Sequence, residues 1–103
     1  MALDHLRDSI TKQNLWLYVL SILREGPASP AEIEKGVLSK FGFSPARITF
    51  YAVLYKLKRE SLVEKIAESF RSKYMITERG EQVFRNGIGT LANTVEKLKT
   101  SEA

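Results

Sequence analysis

The chain has 103 residues, of which 44% are hydrophobic and 27% are charged, and its formal net charge is +4. These proportions are typical of a folded domain with one hydrophobic core, and they exclude wholesale disorder. The sequence contains no cysteine, which excludes disulfides, thiolate nucleophiles and cysteine-ligated metal sites.

The sequence predicts neither a membrane span nor a secretory leader. Its longest apolar run, from Leu15 to Leu23, is interrupted by Ser21. That run is far shorter than the roughly 20 residues that a spanning helix needs. The segment that begins at Met1 carries acidic side chains early and lacks an apolar core. We therefore expect a cytoplasmic protein without a membrane partner.

A flexible N-terminus over residues 1–10 is expected to precede the first helix. That helix is predicted from about Thr11 to Arg24, and Gly26-Pro27 ends it. Trp16 and the aliphatic residues around it cover more than half of the helix surface. Such a broad apolar surface predicts either a central helix or one that a partner subunit buries on a second side.

Two Ser-Pro pairs predict the next two helices. Ser29-Pro30 supplies an N-cap followed by proline at the first helical position, and this helix is predicted to run to about Phe41 and end at Gly42. Ser44-Pro45 repeats the pattern, which predicts a third helix after a very short connection. Two helices joined by a tight glycine-containing turn are typical of a helix-turn-helix.

The third helix divides into a core face and an exposed face. The predicted core face consists of Ala46, Phe50, Val53, Leu54 and Leu57. The opposite face consists of Pro45, Ile48, Thr49, Ala52, Tyr55, Lys56 and Arg59. Tyr51 lies on the flank, where packing with a hydrogen-bonded hydroxyl is favoured over contact with a partner.

Two short apolar segments after the third helix predict an antiparallel hairpin. The strands are predicted from Leu62 to Ala67 and from Lys73 to Thr77, with Glu68 to Ser72 as the tip. Within the tip, we favour a position for Phe70 against the core over a projecting one.

The last helix is predicted to begin after a cap at Thr77, with acidic residues in its first turn. It carries an apolar stripe at heptad spacing, made of Phe84, Ile88, Leu91, Val95 and Leu98. The stripe predicts contact either with a second copy of the chain or with the first helix. Gly87 and Gly89 leave open whether the helix is continuous.

The positive charge is concentrated in one part of the chain. Residues 47–73 hold seven basic and three acidic side chains, whereas the segments on either side are neutral. The surplus therefore coincides with the third helix and the hairpin. A localised basic surface of this kind is typical of proteins that meet nucleic acid.

The order of the predicted elements is that of a winged helix-turn-helix, a mainly α (α+β) fold with a two-stranded wing and a C-terminal helix. Three segments resemble the phenolic-acid-decarboxylase regulator (PadR) family. Residues Thr49 to Leu57 are similar to its recognition-helix signature, Leu62 to Glu64 to the start of its wing, and Lys73 to Gly80 to the segment after the wing. Ser61 stands where the family usually has glycine.

The resemblance implies a homodimeric DNA-binding transcriptional regulator whose C-terminal helix helps to dimerise. We divide the chain accordingly into residues 1–10, a DNA-binding domain over residues 11–77, and a dimerisation helix with a frayed end over residues 78–103. The predicted dimer interface comprises Trp16, Phe84, Ile88, Leu91, Val95 and Leu98.

Double-stranded DNA is the predicted partner. Lys and Arg on the third helix are suited to guanine or phosphate, and Thr or Ala to thymine methyl groups. Residues at its start and in the wing are suited to the phosphate backbone or the minor groove. The predicted DNA-binding residues are Pro45, Arg47, Thr49, Ala52, Tyr55, Lys56, Arg59, Arg71 and Lys73.

The sequence predicts no catalytic residues, no metal site and no cofactor. His5 is the single histidine and has no evident partner residue, and the segment from Asn86 to Thr90 lacks the lysine and the preceding strand of a phosphate loop. A small-molecule effector is compatible with the sequence but not indicated by it. Two alternatives stay open: a winged-helix module that binds another protein, and an architectural protein that binds any duplex.

Overall fold

The computed structural model describes residues 2–8, 14–68 and 71–102. Within them the chain is mainly helical and has one antiparallel two-stranded sheet, so the predicted fold class is confirmed. The elements in chain order are α1 (Ala2–Asp8), α2 (Leu15–Leu23), α3 (Pro30–Phe41), α4 (Arg47–Arg59), β1 (Val63–Glu68), β2 (Arg71–Ile76) and α5 (Glu78–Thr100).

Helix α2 is the centre of the core, as its broad apolar surface predicts. Leu15, Val19 and Leu20 are at most 1% exposed, and the helix contacts α3, α4, α5 and β2. The predicted start of this helix at Thr11 lies outside the described residues. Helix α1 is an element that the sequence pattern did not predict, and its Leu3 and Leu6 are both exposed. The division of the chain into three segments stays a prediction.

The start and end of α3 are confirmed. Ser29 Oγ accepts a hydrogen bond from the Glu32 N–H, and Glu32 Oε1 accepts one from the Ser29 N–H, at 3.3 and 2.9 Å. This reciprocal cap satisfies backbone donors at the helix start, and Pro30 follows without needing a donor. Gly42 ends the helix with a left-handed backbone at φ 79°.

Helix α4 starts two residues later than predicted, at Arg47, with Ala46 as an N-cap that makes no side-chain hydrogen bond. The interpretation of Ser44-Pro45 as the helix start was therefore wrong. Phe43 explains the longer connection, because its ring packs edge-on against Tyr18 at 5.0 Å. Ala46 is exposed rather than part of the core face.

The predicted core face of α4 is otherwise confirmed. Phe50, Leu54 and Leu57 are at most 3% exposed, and Val53 packs against the core while partly buried. After the helix, Ser61 has a left-handed backbone with φ 62°. Ser61 is thus the position where a glycine would fit without steric cost.

The hairpin, which we call the wing, is longer than predicted. Its register runs from Val63 opposite Ile76 to Glu68 opposite Arg71, so Glu68, Arg71 and Ser72 lie in strands rather than in the tip. Cross-strand hydrogen bonding extends regular pairing into segments that lack the alternating apolar pattern. The prediction for Phe70 lies outside the described residues.

The wing is fastened to the connection between α2 and α3. Ala28 donates a hydrogen bond of 3.0 Å to the carbonyl oxygen of Tyr74 and accepts one of 2.8 Å from the Tyr74 N–H. Both residues pack with the core, where Ala28 is buried. The wing therefore holds a defined position relative to the helix-turn-helix.

Helix α5 is continuous from Glu78 to Thr100, which answers the question that its glycines left open. Gly87 has a packing role, since a Cβ at this position would lie 2.9 Å from Leu17 Cδ2 and 3.0 Å from Trp16 Cη2. The missing side chain lets α5 approach α2 closely. Contacts of this kind offset the low helix propensity of glycine.

Candidate nucleic-acid interface

The exposed face of α4 contains most of the predicted DNA-binding residues. Tyr55 is 66% exposed, and Pro45 is half-buried ahead of the helix. The fully solvent-facing members of the predicted set are Arg47, Thr49, Ala52, Lys56 and Arg59. Ala52, Tyr55 and Arg59 lie on the helix face opposite the buried Phe50, whereas Arg47 lies on its flank and Lys56 borders the cavity beside Trp16. The α4 part of the predicted site therefore spans the exposed face of this helix and its two flanks.

Ile48 and Tyr51 are exposed residues of this helix outside the predicted DNA-binding set. Ile48, which the predicted set omits, is 87% exposed and lies in the first turn of α4. Tyr51 is 47% exposed, in keeping with its position on the flank, and the preference for packing over contact with a partner stays a prediction. The Tyr51 ring makes an edge contact with Phe50, with the ring centres 5.3 Å apart. Tyr51 also lines a recess between the start of α3 and Ser72 of the wing.

The wing contributes differently from α4. Lys73 is half-buried on β2, opposite Ile66 of β1, and its side chain already takes part in an interaction within the chain. Arg71 pairs with Glu68 through the backbone, and its side chain lies outside the described residues. Among the wing side chains whose exposure is described, Lys65 is the exposed cation.

Cations outnumber acids on the exposed surface of α4 and β1. The exposed cations between residues 47 and 65 are Arg47, Lys56, Lys58, Arg59 and Lys65. The exposed acids in the same stretch are Glu60 and Glu64. A surface with this imbalance attracts polyanions at long range and holds phosphate groups at short range.

An ion-pair cluster fastens α5 to the end of α2 on another side of the molecule. Arg24 Nε donates hydrogen bonds of 3.0 and 2.9 Å to the two carboxylate oxygens of Glu81, and Arg85 Nε lies 3.1 Å from Glu81 Oε1. The hydrogen bond from Arg24 lowers the pKa of Glu81 below its ordinary value of 4.5, and Arg85 adds to this effect. The Arg24 guanidinium also lies 4.7 Å from the centre of the Phe84 ring.

The predicted dimer residues divide into two groups. Phe84 is 8% exposed and belongs to the core of its own chain, which removes it from the exposed stripe. Trp16 is partly buried against the core beside Gly87. The remaining members of the stripe, Ile88, Leu91, Val95 and Leu98, are 46 to 66% exposed.

A shallow cavity of about 250 Å³ lies between Trp16, α4 and α5. It is smaller than the roughly 300–1,000 Å³ of typical ligand pockets. Leu57 and Val83 form part of its apolar wall, and Lys56 and Glu60 lie among its polar residues. The cavity adds no argument for a small-molecule effector.

Within residues 2–8, 14–68 and 71–102, no group of histidine and acidic side chains is arranged to hold a metal ion. In the same part of the chain, no helix has the length and apolarity that crossing a membrane requires.

Comparison with known proteins establishes the fold. No protein-family model and no curated protein sequence matches the chain. Solved structures do match. A transcriptional regulator from Clostridium thermocellum is 18% identical with a TM-score of 0.81, over 89% of this chain and 96% of that one. A PadR family transcription regulator from Clostridium difficile is 17% identical with a TM-score of 0.76, over 85% and 97%.

Bacillus subtilis PadR, solved in complex with operator DNA, is 22% identical with a TM-score of 0.62, and the match covers 72% of this chain and 46% of that one. These identities are low, but the first two matches cover at least 85% of each chain. The chain therefore has the fold of the PadR-like winged-helix transcriptional regulators.

Proposed function

We propose that this chain is a sequence-specific transcriptional regulator that binds double-stranded DNA as a homodimer. The observation that carries the proposal is the exposed face of α4, which lies beside a wing and within the basic stretch of residues 47–73. The same fold occurs in a Bacillus subtilis protein that was solved with operator DNA. The proposed function is not enzymatic and requires no cofactor.

In the proposed complex, α4 enters the major groove with its exposed face toward the bases. Lys56 and Arg59 reach guanine or phosphate, and Thr49, Ala52 and Tyr55 meet base edges. Pro45 and Arg47 precede or open the helix, where contacts with the phosphate backbone are expected. Arg71 and Lys73 are proposed to hold the wing against phosphates or the adjacent minor groove.

The exposed half of α5 supports the homodimer. Every residue from Ile88 to Thr100 is exposed, so this part of the helix extends away from its own domain. The molecule is correspondingly elongated, with extents of 56 × 29 × 22 Å. An apolar stripe on a protruding helix is stabilised when a second copy covers it. We propose Ile88, Leu91, Val95 and Leu98, with Trp16 at the margin, as the dimer surface.

Dimerisation also increases the number of phosphates that the protein can neutralise. One protomer with a net charge of +4 neutralises few phosphates, whereas a dimer doubles these contacts and reads two half-sites about one helical turn apart. The half-sites are then related by the two-fold axis of the protein.

The direct test is selection of bound sequences from random duplexes, followed by titration of a selected and a scrambled duplex at several salt concentrations. We expect much tighter binding of the selected duplex. We also expect a log–log salt slope steeper than about −3, since each neutralised phosphate contributes about −0.9.

The two alternatives give different results in the same experiment. Equal affinity for selected and scrambled duplexes would favour an architectural protein. No binding of any duplex near physiological salt would overturn both DNA-binding interpretations. The exposed Ile48, Tyr51 and Tyr55 would then mark α4 as a surface for another protein.

A further inference from the structure

The exposed face of α4 carries an apolar row. Ile48 and Tyr55 are 87% and 66% exposed, and they point away from the buried Phe50. Ile48, Ala52 and Tyr55 follow one another at steps of four and three residues, so they lie along one line of the helix surface. We refer to these three residues as the apolar row.

The row lies where a recognition helix meets base edges. Ile48 is in the first turn of α4, and the N-terminal residues of such helices contact bases in the major groove. Arg47 precedes the row and Arg59 continues its line at the other end, so cations stand at both ends. This arrangement suits a helix that is held to phosphates at its ends and touches bases at its centre.

The chemistry of the row selects among bases. From Ile48 to Tyr55 the chain contains no Arg, Lys, Asn or Gln. Those are the side chains that read guanine or adenine through paired hydrogen bonds. Apolar side chains instead contact the C5-methyl group of thymine, which is the one hydrophobic feature of the major groove.

Resting on the proposed function, we infer that the apolar row reads thymine methyl groups, so that the centre of each half-site is rich in A·T pairs with thymine toward α4. Ile48 is the principal specificity residue in this arrangement. Burial of its nearly fully exposed side chain against a methyl group gains hydrophobic free energy that no other base pair offers.

The surrounding charge favours DNA over a protein as the occupant. The residues that flank the row, Arg47, Lys56 and Arg59, are all exposed cations. A typical protein-binding patch is depleted of charge at its centre and has a rim of mixed polarity. Here the rim of the row has one sign, which matches a polyanion.

Replacement of thymine by deoxyuridine tests the inference, because it deletes only the methyl group. In the selected duplex each thymine of one half-site is replaced in turn, and binding is measured by fluorescence anisotropy with wild type, Ile48→Ala and Leu38→Ala. Leu38 is a matched control, since it is 51% exposed near the end of α3.

We expect at least one replacement to weaken wild-type binding about fourfold, which corresponds to about 0.8 kcal/mol for one buried methyl group. Leu38→Ala should show the same loss. In Ile48→Ala that replacement should have little effect, while the variant keeps the melting temperature of the wild type because the side chain is exposed.

Two results would overturn the inference. If the selected duplex binds tightly and no deoxyuridine replacement matters, the apolar row does not read thymine although the protein binds DNA. If the loss is unchanged in Ile48→Ala, Ile48 is not the specificity residue. If no duplex binds at all, the proposed function fails together with the inference, and the row is then a surface for an acidic protein.

Discussion

The hydroxyl group of Thr77 donates a hydrogen bond of 2.7 Å to the carbonyl oxygen of Ser61. The Thr77 hydroxyl oxygen also accepts a hydrogen bond of 3.0 Å from the N–H of Gly80, so one side chain both caps α5 and ties it to the turn after α4. The Thr77 N–H adds a hydrogen bond of 3.1 Å to the carbonyl oxygen of Leu62. This junction sets the position of the proposed DNA-binding helix relative to the proposed dimerisation helix.

Removal of the Thr77 hydroxyl should destabilise the protein at this junction. Thr77→Val keeps the shape of the side chain but loses the cap and the bond to Ser61, so we expect the free energy of unfolding to fall by about 1–2 kcal/mol. Thr77→Ser retains the hydroxyl and is the matched control, with a loss below about 0.5 kcal/mol. Urea denaturation measures both. Equal stability of the two variants would show that the hydroxyl does not stabilise the junction.

Replacement of two glycines of α5 by alanine should change the stability of the protein in opposite directions. A Cβ on Gly80 would collide with the carbonyl oxygen of Leu62, which is backbone and cannot move aside cheaply. Gly80→Ala should therefore cost about 2 kcal/mol or more. Gly89 has nothing within 4 Å of such a Cβ, and Gly89→Ala should stabilise the helix by about 0.5–1 kcal/mol. Thermal melts of both variants check the pair, and destabilisation by Gly89→Ala would contradict the open environment described.

Features that depend on local backbone chemistry were predictable from the sequence. The caps at Ser29 and Thr77 need only a side chain and the next backbone N–H groups, and both are confirmed. The start of α4 was not predictable in this way. There the local signal of Ser44-Pro45 is overridden by packing of Phe43 against Tyr18, a contact between residues far apart in sequence.

The candidate site was also predictable only in part from the sequence. The periodicity of α4 separates the buried Phe50 from the exposed Lys56 without any knowledge of neighbours. The burial of Phe84 depends on what covers it, namely the core and the Arg24 guanidinium, and a heptad pattern carries no such information. Ile48 is absent from the predicted DNA-binding set because hydrogen bonding to bases points to polar side chains, although the helical period places Ile48 on the exposed face.

The ion pair between Arg24 and Glu81 should make the free energy of unfolding depend on pH. The pKa of Glu81 in the folded protein is lowered below its ordinary value of 4.5, first by the hydrogen bond from Arg24. Its stabilising contribution is therefore present above the unfolded pKa and is lost as the pH falls through the folded pKa. Glu81→Gln removes this contribution at every pH.

We expect the difference in free energy of unfolding between wild type and Glu81→Gln to be largest above about pH 5 and to shrink toward about pH 3. Urea titrations across this range measure the difference. Because the pair is exposed, the difference should also shrink at high salt. A difference that grows on acidification would contradict the assigned sign.

A charge placed on the apolar stripe of α5 should separate the protomers. Leu91 is 47% exposed and lies in the protruding part of the helix, so Leu91→Glu should leave the protomer folded while disfavouring the dimer. Asn93→Glu makes the same addition of charge on the other side of the helix and is the matched control. In sedimentation at tens of micromolar, we expect a dimer for wild type and Asn93→Glu and a monomer for Leu91→Glu. A wild-type monomer would remove the proposed dimer.

The central claim is that the exposed face of α4 binds DNA, and a titration of the selected duplex with two lysine variants tests it most directly. Lys56 is an exposed cation that borders that face, whereas Lys99 is an exposed cation near the end of α5. Both variants lower the net charge equally, so a difference between them reports position. We predict that Lys56→Ala weakens binding about tenfold or more, since a hydrogen bond to a charged group contributes about 1.5–3 kcal/mol. Lys99→Ala should change binding less than about twofold, as expected for a distant, screened charge. Equal losses in the two variants would contradict the claim.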